Sequence, residues 1–343
     1  MQPNFATPAQ PCLSPARRQA LRQGMALVCG AAASAASPWL HAQDAALLQD
    51  EVWTDAARGR DVPALLRWPT GGARPQGVVI FSHGVGGRRT GAEVWGKAWA
   101  DAGLLVVHLQ HPGSDNVAMK GGFNALRKAM APEQLIARVT DVKFAIDEIA
   151  RKQAAKSGTG RTSWADVPLQ RLALAGHSLG ARTTQAIAGQ TYPKAGSFSP
   201  VDARVKAFIA MSPALGKDAT TAQATSELKA ITRPILLVSG SLDGEVLNNG
   251  ETVASRRQVY DCLPAGNKAL LYLNGADHLT FAGIEKVIPS NFLMKREAST
   301  LASEVAHQRT TALVTAAWLK ARLLGQAMPA PAGLGQGDVW LQD

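Results

Sequence analysis

The sequence has 343 residues, of which 46% are hydrophobic and 18% charged, and its formal net charge is +10 at pH 7. This composition excludes a disordered chain, a collagen and a protein with several membrane spans. No run of about eighteen consecutive apolar residues occurs, so no transmembrane helix is predicted. The basic residues form no block of like charge and no stripe interleaved with aromatic residues, which argues against a nucleic-acid partner.

The start of the chain has the composition of an export signal. Residues 1–42 contain three arginines and no acidic residue, and a weakly apolar run occupies residues 25–40. A basic segment, a short apolar run and a small residue at the cleavage point, here Ala42, are typical of a secretory signal. The pair Arg17-Arg18 favours the twin-arginine route. We therefore expect a cleavable, twin-arginine-like signal over 1–42 and a mature protein that is exported, periplasmic or extracellular.

Cleavage after this signal would leave a mature chain with a single cysteine. The net charge would fall from +10 to +7, and Cys262 would remain without a partner for an intrachain disulfide. An exported chain of about 300 residues then depends on its hydrophobic core for stability. The simplest interpretation of Cys262 is a small buried apolar residue.

From about residue 60 onward, short apolar runs alternate with longer amphipathic ones. Most short runs are continuously apolar, as expected for parallel strands that are covered on both faces. The predicted strands are 62–68, 77–83, 104–109, 171–176, 205–212, 234–240 and 268–274. The predicted helices are 92–102, 132–156, 178–190, 250–262 and 297–324. This alternation predicts an α/β fold with a mostly parallel central sheet and helices on both faces.

The same pattern sets the predicted domain organisation. No linker divides the middle of the chain, so residues 43–324 are interpreted as a single catalytic domain. Residues 325–343 are rich in Pro, Gly and Ala and are predicted to form a loose C-terminal tail. Two connections, 110–131 and 279–296, are longer than the fold needs and follow the carboxyl ends of predicted strands. We expect them to form pocket walls or a lid.

The segment Gly176-His177-Ser178-Leu179-Gly180 has the pattern G-x-S-x-G. The pattern alone is weak, but here an apolar strand leads into it and a predicted helix leads out of it. That context is the sharp turn on which a nucleophilic serine is exposed. The start of the helix also directs positive partial charge at the serine. Ser178 is therefore the predicted nucleophile.

A serine hydroxyl needs a general base, and that base needs an acid to orient it. In folds with this motif the acid and the histidine follow the serine in the chain. His278 directly follows a predicted strand, whereas His307 lies within a predicted helix, so His278 is the predicted base. Asp243, three residues after another apolar strand, is the predicted acid, with Glu245 as the alternative.

A tetrahedral intermediate requires backbone N–H donors for its oxyanion. One predicted donor is Leu179, which follows the nucleophile, and the other is Val85 in the glycine-rich loop 81–87, with Gly84 as the alternative. A glycine-rich loop before a helix can also cradle phosphate, but this loop lacks the lysine and the spacing of a P-loop. His83, in the same loop, is interpreted as a structural hydrogen-bonding residue.

No cofactor and no metal are predicted. His108 and His111 form a lone pair, and no cluster of cysteine and histidine has the spacing of a zinc site.

The sequence resembles the α/β-hydrolase superfamily. More narrowly, it is similar to the dienelactone-hydrolase-like group, which also holds plasma-type platelet-activating-factor acetylhydrolases and secreted polyester hydrolases. The resemblance spans about residues 54–283 and implies a triad of Ser178, Asp243 and His278 together with carboxylic-ester hydrolysis. The stretches that carry it are DAARGRDVPALLRWP, VVIFSHGVGG, LQHPGSD, LALAGHSLGA, RVKAFIAMSPALG, PILLVSGSLD and NGADHLTFAG.

The sequence departs from parts of this group. Dienelactone hydrolases use a cysteine nucleophile where this chain has Ser178. Polyester hydrolases usually have an aromatic residue where this chain has Val85, a tryptophan near the segment 212–215, and a disulfide that one cysteine cannot form.

The function predicted from these residues is that of an exported serine hydrolase that cleaves carboxylic esters through an acyl-enzyme. The expected partner is a small-molecule or lipid-like ester. Alternatives are acetylhydrolase, lipase or polyester-hydrolase activity, an amidase or acyltransferase on the same triad, and a non-catalytic binding protein. The acyl chain length, the natural substrate and the oligomeric state stay open.

Overall fold

The fold was analysed in a computed structural model, which describes all of the predicted catalytic domain except short segments. The described residues are 46–193, 198, 200–215, 219–244, 246, 250–289 and 295–343. The predicted export signal, residues 1–42, lies outside them.

The described residues form a nine-stranded sheet flanked by helices. The strands are β1 (Leu48–Asp55), β2 (Arg60–Arg67), β3 (Gly77–Ser82), β4 (Leu104–Leu109), β5 (Leu172–His177), β6 (Val205–Met211), β7 (Ile235–Leu242), β8 (Lys268–Asp277) and β9 (Val339–Gln342). The helices are α1 (Glu93–Asp101), α2 (Gly122–Ala129), α3 (Pro132–Ala154), α4 (Leu179–Ala188), α5 (Thr221–Leu228), α6 (Val253–Cys262) and α7 (Ala298–Leu324).

The strand order is β1-β2-β4-β3-β5-β6-β7-β8-β9. The six strands from β4 to β8 in this order are parallel, and the pairs β1–β2, β2–β4 and β8–β9 are antiparallel. This arrangement confirms the predicted α/β fold with a mostly parallel sheet. Because the carboxyl ends of the parallel strands share one edge, the residues that follow β3, β5, β7 and β8 are brought together there.

Apolar side chains project from both faces of the sheet into buried layers, which explains why the central strands are continuously apolar. In β3, Val78 and Ile80 pack on one face while Val79 and Phe81 pack on the other. The first face is covered by α3, α4, α5 and α6, and the second by α1 and α7. Each face thus has its own buried layer, and the sheet lies between them.

The helix starts follow local sequence signals. Helix α3 begins with Pro132 at its first position, where proline removes no needed N–H. Helices α5 and α6 begin with capping boxes formed by Thr220 with Gln223 and by Thr252 with Ser255. Among the described residues, no helix is both long and apolar enough to cross a membrane.

Four elements were not predicted from the sequence: β1, β9, α2 and α5. Strand β1 is an edge strand with alternating exposure, and Val52 in it is 58% exposed, so it lacks a continuous apolar run. Helix α2 lies inside the long connection 110–131, and its Phe123 is 80% exposed. For α5, the sequence does carry a helix-start signal, the capping-box pattern of Thr220 and Gln223.

The predicted loose tail is corrected by the structure. Residues 339–342 form β9, which pairs antiparallel with β8 from Val339 opposite Tyr272 to Gln342 opposite Ala269. The Asp343 N–H donates to the carbonyl of Lys268 at 3.0 Å. The edge of β8 provides unpaired backbone groups and apolar side chains, and these outweigh the turn-forming composition of the preceding residues.

Removal of β9 tests this correction. In a mature chain that ends at residue 337, we expect the free energy of unfolding to fall by about 2 kcal/mol, because Trp340 and Leu341 no longer cover β8 and its outer edge loses hydrogen bonds. Urea unfolding followed by circular dichroism measures the change. An unfolding midpoint equal to that of the full mature chain would show that the tail contributes nothing, as a loose segment would.

Candidate active site

Ser178 lies at the sharp turn between β5 and α4. Its backbone has φ 58° and ψ −116°, a conformation that residues other than glycine rarely adopt. The turn is possible because Gly180 has no side chain: a Cβ there would lie 1.8 Å from the carbonyl oxygen of Ser82. The start of α4 therefore touches the end of β3, and Ser178 stands next to the loop that follows β3.

His278 and Asp243 lie at the ends of β8 and β7. The Nδ1 atom of His278 is 2.8 Å from Oδ1 of Asp243, and both residues are buried. Since a carboxylate only accepts hydrogen bonds, Nδ1 carries the proton and Nε2 is left as an acceptor. The hydroxyl of Ser239 donates to the other carboxylate oxygen at 2.9 Å. Glu245, the alternative acid, lies outside the described residues.

His177 contacts His278 through a hydrogen bond and through its ring. Its Nε2 donates to the carbonyl oxygen of His278 at 3.0 Å, and the two rings are 4.7 Å apart. Burial, together with the nearby His278, lowers the pKa of His177 to about 3, so His177 is neutral near pH 7.

Arg256, in α6, was not predicted from the sequence. Its Nε donates to the carbonyl of Asp243 at 2.9 Å and lies 3.1 Å from the carboxylate oxygen Oδ1. Its Nη1 donates to the carbonyls of Ser212 and Pro213. One signal could have revealed it: Arg256 occupies the buried face of α6, three residues before Val259, where an apolar residue is expected.

These contacts determine the charge of Asp243. Burial alone would raise its pKa, but the charge of Arg256 and the hydrogen bond from His278 outweigh burial and hold the pKa at about 2. Asp243 is therefore ionised at any pH at which the protein is expected to work, and its carboxylate can stabilise a protonated His278.

Ser178 and His278 share the wall of a cavity of about 430 Å³. This volume is within the range of small-molecule sites. Both long connections contribute to its wall, with Asn116 from 110–131 and Leu279 from 279–296. The apolar residues of the wall are Phe81, Val85, Ala92, Val246, Leu279, Ala282, Ile284 and Ile288.

One part of the cavity wall, residues 281–284, packs on the buried layer of the protein. The indole N–H of Trp95, in α1, donates to the carbonyl of Phe281 at 3.1 Å. Gly283 has φ 65°, and a Cβ there would lie 2.3 Å from Nε1 of Trp95. The segment that carries Ala282 and Ile284 thus packs directly on a fully buried tryptophan.

The two predicted oxyanion donors are Val85 and Leu179. Val85 lines the cavity, and Leu179 is the first residue of α4. Within the described part of the chain, neither backbone N–H donates a hydrogen bond. Gly84, the alternative donor, packs on the nucleophile, since a Cβ there would lie 3.3 Å from Cβ of Ser178.

The remaining histidines have structural contacts. His83 donates from Nδ1 to the carbonyl of Gly84 at 2.6 Å and accepts at Nε2 from the N–H of His111. His111 is bonded to Ser82 and Asp141, while His108 packs on Phe81. Among the described residues, no group of three or more His, Cys, Asp and Glu side chains has the arrangement of a metal site. Cys262 is buried, with its Sγ 3.8 Å from the carbonyl of Thr221.

Comparison of this chain with known proteins supports its fold but assigns it to no family. No protein-family model matches the sequence, and no curated protein matches it. Among solved structures, the chain is similar to a ferulic acid esterase from Streptomyces cinnamoneus, with a TM-score of 0.57 and 17% sequence identity, covering 88% of this chain and 98% of that chain. With the sheet order and the strand–turn–helix at Ser178, this likeness shows an α/β-hydrolase fold. The dienelactone-hydrolase-like subgroup stays a prediction.

Gly180→Ala tests the close contact between α4 and β3. The added methyl group meets the Ser82 carbonyl, so we expect a loss of at least about 2 kcal/mol in the free energy of unfolding, measured by urea denaturation. The matched control is Gly335→Ala, where the nearest atom to a Cβ lies at an ordinary 3.4 Å. Equal stability of the two variants would contradict the described turn.

Arg256→Met tests the pairing with Asp243. The pKa of Asp243 is lower in the folded protein than its ordinary value near 4, so the pairing stabilises the fold above that value and is lost as the pH falls towards 2. We expect the variant to lose about 3 kcal/mol in the free energy of unfolding at pH 7. The loss should be smaller at pH 3, and urea unfolding at both values measures it. An equal loss at both pH values would assign the effect to the neutral hydrogen bonds of Arg256 alone.

Proposed function

We propose that the protein is an exported serine hydrolase that cleaves carboxylic esters through a triad of Ser178, His278 and Asp243. One observation carries the proposal: Ser178, at a strained turn, lines the same cavity as His278. The Nδ1 atom of His278 is hydrogen-bonded to Asp243, which is buried and ionised. Among the described residues, the N–H of Val85, which lines the same cavity, and the N–H of Leu179, which follows Ser178, have no hydrogen-bond acceptor. This combination supplies a nucleophile, a base, an orienting acid and oxyanion donors.

The first half of the reaction forms an acyl-enzyme. Oγ of Ser178 attacks the ester carbonyl carbon while Nε2 of His278 takes the hydroxyl proton. Asp243 accepts the hydrogen bond from Nδ1–H and stabilises the imidazolium. The carbonyl oxygen becomes an oxyanion that receives hydrogen bonds from the N–H groups of Val85 and Leu179. The tetrahedral intermediate collapses, and the alcohol leaves with the proton from His278.

The second half releases the acid. Water enters where the alcohol left, gives a proton to His278 and attacks the acyl carbon. The same two N–H groups stabilise the second oxyanion. Collapse of this intermediate breaks the bond to Ser178, and His278 returns the proton to Oγ, so that the enzyme is regenerated.

The cavity favours an ester with a compact apolar part. A volume of about 430 Å³ with walls of Phe81, Leu279, Ile284 and Ile288 suits a short or medium acyl chain or an aromatic acyl group. A hydroxycinnamate ester is one candidate, because the similar solved structure is a ferulic acid esterase. Acetyl esters, lipids, polyesters, amides and acyl transfer to an alcohol are the alternatives that the assays must separate. Export rests on the sequence of residues 1–42.

Ser178→Ala tests the proposal directly. Mature protein is assayed with p-nitrophenyl esters from acetyl to palmitoyl and with methyl ferulate. We expect the variant to lose at least about a thousandfold in kcat/KM, because the nucleophile is removed while the fold is kept. Ser303→Ala, at a half-buried position of α7 where the hydroxyl donates to the carbonyl of Ser299, is the matched control and should keep full activity.

The outcomes separate the hypotheses. Hydrolysis that survives in Ser178→Ala would refute the serine mechanism. A folded wild type that binds these esters without turnover would favour the binding protein. Comparison of the best ester with its matched amide distinguishes an esterase from an amidase, and the preferred chain length distinguishes a small acyl pocket from a lipid-sized one.

A further inference from the structure

A second serine–histidine–aspartate chain lies behind the candidate active site. Oγ of Ser82 is 3.0 Å from Nε2 of His111, and Nδ1 of His111 is 3.0 Å from Oδ2 of Asp141. The connectivity equals that of a catalytic triad. All three residues are fully buried, however, so no substrate reaches this serine. Any purpose of these three hydrogen-bonded side chains therefore lies within the protein and is structural.

Arg138 is the centre of this cluster. It is fully buried on the inner face of α3, and its guanidinium contacts three separate parts of the chain. Nη2 donates to the carbonyl of His83 and, at 2.9 Å, to the hydroxyl of Ser82. Nη1 donates to the hydroxyl of Ser114 at 2.8 Å, and Nε donates to that of Thr183 at 3.1 Å.

The contacts with His83, Ser114 and Thr183 connect Arg138 to backbone next to a proposed oxyanion donor. The His83 carbonyl lies two residues before Val85, and the carbonyl of Ser114 accepts from the N–H of Gly86 at 2.8 Å. On the other side, the hydroxyl of Thr183 donates to the carbonyl of Leu179 at 3.1 Å. Arg138 is thus joined to the backbone on both sides of the place where the oxyanion would form.

The negative charge of Asp141 offsets part of the cost of burying Arg138, although burial is the larger effect and lowers the pKa of Arg138 to about 9. Asp141, one turn further along α3, accepts hydrogen bonds from Arg58, Arg60 and His111. Burial would raise the pKa of Asp141, but the hydrogen bonds from His111 and Arg60 outweigh burial and hold the pKa below its ordinary value. The charge of this ionised aspartate acts on the buried guanidinium without a direct hydrogen bond, and the planar guanidinium itself holds several acceptors at once.

We propose that Arg138 is a positioning residue that sets the distance between the N–H groups of Val85 and Leu179. The inference rests on the proposed function, since it assigns a purpose to those two groups. An oxyanion hole works only when its donors are about 2.7–3.1 Å from the oxygen of the transition state. A shift of one donor weakens binding of the transition state and leaves binding of the planar ester nearly unchanged.

The test compares Arg138→Met and Arg138→Lys with wild type. For Arg138→Met, we expect kcat for the best p-nitrophenyl ester to fall about 10- to 100-fold with KM changed by less than about twofold. Affinity for a boronic acid that forms a tetrahedral adduct on Ser178 should fall by the same factor as kcat/KM. Arg138→Lys keeps the charge but not the fork, so it should recover only part of kcat.

Arg233→Met is the matched control. Arg233 also bridges several elements, since it donates to carbonyls of Val205 and Ile187, but it does so at the end of α4 opposite to Ser178. We expect this variant to lose stability and to keep wild-type kcat. A merely structural role for Arg138 would predict that kcat follows stability in both variants, and that result would overturn the proposal.

The remaining outcomes are also decisive. Unchanged kcat and unchanged boronate affinity in folded Arg138→Met would refute the positioning role. If Arg138→Met does not fold, Arg138→Lys decides, because it must lower kcat and boronate affinity by one common factor. Failure of the proposed function is separate: in that case wild-type hydrolysis itself would not depend on Ser178.

Discussion

The site depends on the backbone contact between Gly180 and the carbonyl of Ser82. Only hydrogen fits between the start of α4 and the end of β3, so the turn that carries Ser178 is pressed against the loop that carries Gly84 and Val85. The strained backbone at Ser178 follows from the same contact, because the chain must reverse sharply to enter α4 at that point. Ser178 and this loop are therefore placed by main-chain packing rather than by their own side chains.

Two buried arginines form hydrogen bonds to the segments on which the site is built. Arg256 fixes the backbone and the carboxylate of Asp243 on one side, and Arg138 fixes the loop after β3 on the other. Loops that follow strands have backbone carbonyls without partners in the sheet, and a guanidinium satisfies several of them from one buried position. Asp243 lies 3.1 Å from Arg256, and Asp141 offsets part of the cost of burying Arg138.

Much of the fold was accessible from sequence because parallel strands covered on both faces are continuously apolar. The motif around Ser178 and the positions of His278 and Asp243 after such strands led to the candidate site. Strand β1 and helix α2 were missed because their exposed sides break the apolar pattern, and β9 because its partner is distant in the chain. Arg138 was missed because the apolar spacing of a helix does not tell which of its charged residues points inward, and Arg256 was missed although its place on the apolar face of α6 was a signal.

The packing of Trp95 under the cavity wall has a consequence for how selectivity can change. The wall segment around Phe281 and Gly283 lies on an indole that belongs to the buried layer under α1 and α7. The width of the cavity beside Ser178 thus depends on the volume of the side chains in this buried layer. Substitutions in this layer, at Trp99 or Trp318 for example, are therefore expected to change the shape of the cavity beside Ser178 while the residues that line it stay the same.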